Sequence, residues 1–443
     1  MKIFRKSVVV VLCMMLFISL VACNKAKTPA ASTASSKKPY EGVTITLALN
    51  QPADILKEQF DVWYAHLKKR ALDELGITLN IEMVSWGDYL NKHLMSIASG
   101  QGPDIVQLGS GAPSVVAAAD GLLDLRPYMS KFTGGFDVYF DVGKYYAQYN
   151  GKIIALPWGG GGRVTYYNKN LYKAAGLEFP KNGWTWDQFV KDATVLTKHM
   201  GRPAYGVMGM SNETAYNFWA NLITEGGHIL TPDEKSAAFN SDAGVKSIRN
   251  ILDLYQKGLL SASFAESTGD ALLISFINGD IAISYGNASW WVEVDKKMGN
   301  ENYGIVTMPV GASGLTTGAV TMSEFGIMKY TKNPDAAAAF LAILSGPEET
   351  VTSTVILGWV PFRSDLKNNP EYAKHAFFET FFLNAEKSAM HIPQIASVNT
   401  VLASTTKMLS SIYSQAVKGT KFTDAQIRAQ LDALATEVNN MLK

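Results

Sequence analysis

The stretch Tyr149-Asn-Gly-Lys-Ile-Ile-Ala-Leu-Pro-Trp-Gly-Gly-Gly-Gly-Arg-Val-Thr-Tyr-Tyr-Asn168 decides how the chain is organised. One strand ends at Pro157 and a second is read over Arg163 to Asn168. Four consecutive glycines, Gly159 to Gly162, stand between them. Glycine carries no Cβ, so such a run absorbs large backbone rotations at little steric cost. A phosphate-cradling loop is the alternative, but that loop leads from a strand into a helix, and here a strand follows. The stretch therefore reads as a hinge.

Working outward, short strands alternate with amphipathic helices, the pattern of an α/β protein. Thr44 to Asn50 alternates with Ile45, Leu47 and Leu49 on one side, and Ile77 to Val84 repeats the pattern with Ile77, Leu79, Ile81 and Met83. Ile55 to Leu75 between them reads as a helix. Asp104 to Leu108, after a Gly-Pro break, has the apolar character of a buried parallel strand. Thr185 with Gln188, and Thr423 with Gln426, fit capping boxes at helix starts. Asn333 before Pro334 predicts a side-chain cap ahead of proline at the first helical position. No internal repeat is visible.

Several segments, taken in order, resemble the extracellular solute-binding proteins of ABC importers, in the group that includes maltose-binding proteins. They are Tyr149 to Pro157 followed by Tyr166-Tyr-Asn-Lys-Asn-Leu171, Ala175-Gly-Leu177 and Trp184-Thr-Trp-Asp-Gln-Phe189. Further on come Phe276-Ile-Asn-Gly-Asp-Ile-Ala-Ile283 leading to Gly286 and Trp290, then Lys332-Asn-Pro-Asp-Ala336 and Gly358-Trp-Val-Pro-Phe-Arg363. The resemblance spans Thr44 to Leu442. It implies a two-lobe periplasmic-binding-protein-like fold with three crossing segments and a ligand cleft between the lobes. Residues 43–159 with 317–361 would form one lobe, and 163–316 with 365–443 the other. The crossings would fall near Gly159–Gly162, Thr316–Gly318 and Phe362–Ser364.

The resemblance also implies where a ligand is touched. Trp290, with Trp291, falls on the loop after Phe276–Ile283, where the family offers an aromatic platform; two adjacent tryptophans are not easily buried on one face, so at least one is expected to be available. Tyr216 and Trp219 match an aromatic cluster of the maltose-binding group. Trp158 follows the strand end beside the hinge. Asn50 and Gln51 end the first strand and Ser110 follows the Asp104–Leu108 strand; such ends face the cleft in open α/β sheets. Glu324, Trp359 and Arg363 lie close to the second and third crossings. Gly111-Ala112-Pro113 replaces the acidic and basic residues that the maltose-binding group carries there, which argues against a maltose specificity.

At the N-terminus, Lys2, Arg5 and Lys6 precede a thirteen-residue apolar run, Val8 to Leu20, too short to span a bilayer comfortably. Leu20-Val21-Ala22-Cys23 resembles the lipobox of bacterial lipoproteins. That implies a signal peptide over residues 1–22 and acylation of Cys23 by chains such as palmitate, which hold a protein on a membrane. Residues 23–42, rich in Ser, Thr, Ala and Lys, read as a flexible tether. The setting expected is the outer face of the cell membrane, with a Gram-positive host favoured by Asn24 after the anchoring cysteine.

Without the signal, 37 basic residues face 39 acidic ones, and no basic patch points to nucleic acid. The only cysteines are Cys13 and Cys23, so the exported part has no disulfide and no thiolate metal site. The histidines show no metal-ligand spacing, and no cofactor is expected. Nine Trp and nineteen Tyr suit carbohydrate, whose C–H faces stack on flat rings. The expected activity is capture of a sugar, in the form of an oligosaccharide, by a monomer that delivers it to membrane permease subunits without catalysis. A binding protein for another solute and a secreted carbohydrate-active enzyme are the alternatives; no Gly-x-Ser-x-Gly elbow, His-Glu-x-x-His helix or Walker loop is present.

Overall fold

In the computed structural model the described residues are 37–443, apart from 53, 110, 161, 210–211, 317–321 and 388–390. The expected signal, Cys23 and most of the tether lie outside them. Its last residues do not: the Tyr40 N–H donates to the Leu75 carbonyl at 2.9 Å and the Tyr40 side chain packs on a buried core. Lys38–Lys443 is one compact unit.

The alternation of Ile45, Leu47 and Leu49 becomes β1 (Thr44–Asn50), and that of Leu79 and Ile81 becomes β2 (Thr78–Val84). The helix between them covers Lys57–Arg70 and widens into a last turn over Ala71–Leu75, closed by Gly76 at φ 77°. The remaining strands are β3 (Ile105–Gly109), a small hairpin of β4 (Gln148–Tyr149) and β5 (Lys152–Ile153), β6 (Leu156–Gly160), β7 (Arg163–Asn168), β8 (Tyr205–Val207), β9 (Ile283–Asn287), β10 (Tyr303–Val306), β11 (Met322–Ile327) and β12 (Val360–Pro361).

Two separate sheets result. The first has the order β12-β6-β11-β3-β1-β2, and the second β10-β7-β9-β8. β1 is parallel to β2 and β3, whereas β11 runs antiparallel between β3 and β6. The expected parallel strand at Asp104–Leu108 is thus parallel on one side only. The chain leaves the first sheet after Gly160, returns between Val306 and Met322, and leaves again after Pro361. Each sheet and its helices form one lobe, with its own core: Trp63, Leu47, Phe325 and Phe340 in the first, Tyr166, Phe218, Ile283 and Leu409 in the second.

Both capping boxes form: the Thr185 and Thr423 hydroxyls accept from Gln188 N–H and Gln426 N–H, and each glutamine answers to the cap's own N–H. Asn333 does not cap. Its backbone sits at φ −127°, ψ 56°, and its side chain makes no hydrogen bond to the helix Pro334–Leu344. The glycine run is also less free than its composition implies. Gly159 and Gly160 belong to β6, paired with β11 and β12, and a Cβ at Gly159 would stand 3.1 Å from the Trp359 Cβ. Close packing is why glycine is needed there.

Candidate functional site

The expected tryptophan platforms turn inward. The turn after β9 winds as a short 3-10 helix, Ala288–Trp290, into the helix Trp291–Met298, so successive side chains point to different sides. Trp290, 4 % exposed, folds back over Gly286 and lies 6.1 Å from Tyr166. Trp291, 5 % exposed, packs on His375, Phe377 and Phe378. The expectation that one of the two remains available is corrected: both are buried, because they pack on different parts of one core. Trp219 is fully buried, with no partner for its Nε1. Trp158 is the middle of a stack, 4.9 Å from Trp63 and 5.0 Å from Trp359, and donates to Ser353 Oγ at 3.2 Å. Arg363 is spent on structure. It donates to the carbonyls of Ser345 and Thr133, both at 3.1 Å, and pairs with Asp365 at 2.7 Å. Gln51 is exposed, and Ser110 lies outside the described residues.

Two of the expected residues, Glu324 and Tyr216, come close through Tyr89 and Tyr146 where the lobes face each other, and Asn50 ends a strand of the same sheet as Glu324. Asn50 ends β1 and is buried; its N–H donates to Gln107 Oε1 at 2.9 Å, and neither side-chain amide atom has a partner. Glu324, on β11 between Leu108 of β3 and Pro157 of β6, is fully buried with both carboxylate oxygens unpartnered. Burial holds its carboxyl well above the usual carboxylate range; contact with its own backbone N–H pulls the other way. Tyr216, from the helix Glu213–Thr224 of the second lobe, is partly buried and meets Trp219 edge-on at 6.1 Å.

Around these stand residues that sequence reasoning missed. Tyr89, at the start of the helix Tyr89–Ser99, has its hydroxyl against the Gly109 main chain, and burial and then Glu324 raise its pKa. Tyr146, ending the helix Asp141–Tyr146, is buried; its pKa is raised by that burial above all and, more weakly, by Tyr145, Glu324 and Tyr216. The Tyr216 pKa is raised by burial first and then by Tyr89 and Glu213, with Arg163 opposing. Arg163, the first residue after the glycine run, is buried and paired with Glu213. Trp86, 46 % exposed, follows β2 and reaches across to Gly109, where a Cβ would come within 3.0 Å of its ring. The signal for Trp86 was its place just past a strand end; Arg163 was signalled by a lone charge beside the glycines.

The lobes touch around this site. The Tyr145 hydroxyl donates to Glu234 Oε1 at 3.2 Å, and Ile392 N–H donates to the Tyr146 hydroxyl at 2.6 Å. Lys296 and Glu58 pair at 3.5 Å. A cavity of about 370 Å³ opens beside Tyr145, lined by Gly226, Gly227, Glu234, Leu315 and His391. Among the described residues no cluster of His, Cys, Asp and Glu suits a metal ion, and no helix is long and apolar enough to cross a membrane.

Solved structures share this architecture. The maltose-bound MalE3 of T. maritima superimposes with a TM-score of 0.78 at 19% identity, covering 90% of this chain and 100% of that one. A putative binding protein of Brucella abortus (strain 2308) is 24% identical over 76% of this chain and 81% of its own length. The arabinooligosaccharide-binding protein of Bacillus subtilis (strain 168) is 23% identical over 74% of this chain and 76% of its own. The family described as bacterial extracellular solute-binding protein matches residues 54–351, more than half of the sequence. With that match and two lobes meeting over a polar, aromatic floor, the chain belongs to the bacterial extracellular solute-binding proteins.

Proposed function

We propose that this protein captures a saccharide between its lobes and hands it to the membrane subunits of an ABC importer, without chemical change. The observation that carries the reading is the seam itself: Glu324, with both carboxylate oxygens unpartnered, lies near Tyr89 and Tyr146, which in turn lie near Tyr216 of the facing lobe, and Asn50 at the end of β1 also leaves its amide unpartnered. Hydroxyl-rich ligands need such donors and acceptors, and their C–H faces need rings. The relatives that bind arabinooligosaccharide and maltose support the same class. On this reading residues 43–159 with 317–361 turn as one body against 163–316 with 365–443. Ligand favours the closed arrangement only by its differential affinity for it. We further infer attachment to the outer face of the membrane through Cys23 after removal of residues 1–22, in a monomer.

Calorimetry against an oligosaccharide panel, with mass analysis of the recovered ligand, tests the function. Saturable binding with unaltered ligand and a smaller radius of gyration in small-angle scattering is the expected result. Ligand cleavage, or no saccharide binding at all, would refute it. For the anchor, Cys23→Ala should release the protein or leave it uncleaved; a processed, membrane-bound variant refutes lipidation.

A further inference from the structure

Desolvating a lone carboxylate is costly, so buried charges are normally paired. Elsewhere this chain obeys: Arg163 meets Glu213, and buried Glu349 receives Trp63, His66 and Arg70. Glu324 does not. It is fully buried, neither oxygen has a partner, and among the described residues no lysine, arginine or histidine is paired with it. Nor is it remote from the seam. Tyr89 and Tyr146 both feel its charge, and both are coupled to Tyr216 of the other lobe. Asp54, following β1, and Asp270, at the start of the helix Gly269–Ile277, also approach across the lobes closely enough for Asp54 to add to the burial that raises the Asp270 pKa. The cations described around the seam, Arg163 and Lys296, are already paired with Glu213 and Glu58.

We propose that the solute held in this cleft carries a protonated amine and that Glu324 is its counter-ion, with Tyr89, Tyr146 and Tyr216 grouped around the cation. The inference rests on the cleft being the solute site, and it narrows a saccharide to an amino sugar with a free amine. An ammonium has three N–H donors for the two unpartnered oxygens, and tyrosine faces attract a cation. Without solute, burial favours the protonated carboxyl over the carboxylate. The incoming ammonium keeps its protons and forms the ion pair, while any proton on Glu324 leaves to solvent. Binding is therefore expected to release protons, at most one for each solute bound.

The test is isothermal titration of the intact mature chain with matched oligosaccharide pairs, free-amine and N-acetylated, and with spermidine, in buffers of differing ionisation enthalpy. Wild type is compared with Glu324→Gln and Glu324→Met, whose melting temperatures confirm folding. The free-amine member should bind at least about tenfold more tightly, with proton release, and the preference should fall to about one in both variants. Equal binding of the pair, a preference for the acetylated member, a preference that survives both variants, or no binding by any probe overturns the assignment. Glu324-dependent binding of spermidine alone would uphold the counter-ion and remove the saccharide reading.

Discussion

Trp290 occupies the space that a side chain at Gly286 would fill: a Cβ there would lie 2.0 Å from the Trp290 Cζ3. The glycine on β9 and the ring that follows it are one packing unit, closed on the far side by Tyr166. Trp290 thus supports the second lobe's core.

Trp290→Ala should cost about 3–5 kcal/mol of stability, as for other buried aromatic truncations. Gly286→Ala should cost about 1–3 kcal/mol by overpacking. Because the two share a contact, the double variant should lose less than the sum. Urea unfolding of all three variants checks this; additive losses would separate the pair.

Trp86 behaves oppositely. Its ring is exposed and rests on the edge of β3, so Trp86→Ala should change stability by no more than about 0.5 kcal/mol. If it flanks the solute, affinity should fall about tenfold or more. Melting without ligand and titration with it separate the two effects, and an unchanged affinity places the ring outside the binding surface.

Glu349 joins two helices of the first lobe. Trp63 Nε1 donates to one oxygen at 2.7 Å and Arg70 Nη1 to the other at 3.0 Å, with His66 also at 3.0 Å. Glu349→Ala should cost about 1–3 kcal/mol, since it leaves the buried Trp63 indole N–H without a partner, while Arg70 keeps Glu74 and Glu348. Denaturant titration at neutral pH reads the loss.

Two buried groups give the stability opposite slopes with pH. Burial pushes the His93 imidazole down to about 4, against 6.5 in the unfolded chain. Its contribution is complete above about 6.5 and is lost as pH falls toward 4, up to about 3 kcal/mol. His93→Leu should flatten that acid limb. Glu324, raised by burial, contributes fully below the unfolded carboxylate value and loses its contribution as pH rises. Glu324→Gln should therefore melt higher than wild type at alkaline pH, with the gap closing in acid; a constant gap would refute the assignment.

Much of the fold was legible because its signals are local. The capping boxes at Thr185 and Thr423 need three residues each, and β1 and β7 show in their own alternation and position. Asn333 failed because the Asn-Pro pair fixes a sequence and not the backbone angle a cap requires. The site was harder. Whether Trp290 is core or platform depends on a glycine four residues earlier leaving room for it. Which of nineteen tyrosines meet at the seam depends on the crossings that set residue 216 of one lobe against residues 89 and 146 of the other. Asn50 was named because it ends a strand, and Glu324 because it lies close to the second crossing implied by the family resemblance.

The indole stack has a mechanical consequence. Trp63 sits on the first long helix, Trp158 on the strand that leads into one crossing, and Trp359 just before the strand that leads into another. These rings clamp two of the three connecting strands to a single rigid block. Arg363 pins the chain again only two residues beyond β12. On the proposed closure, one lobe would turn against the other just beyond these two clamped connections, past Gly160 and at Phe362. A pivot so close to the clamp would act like a stiff bearing, letting the rims of the lobes sweep far while their bases hardly move.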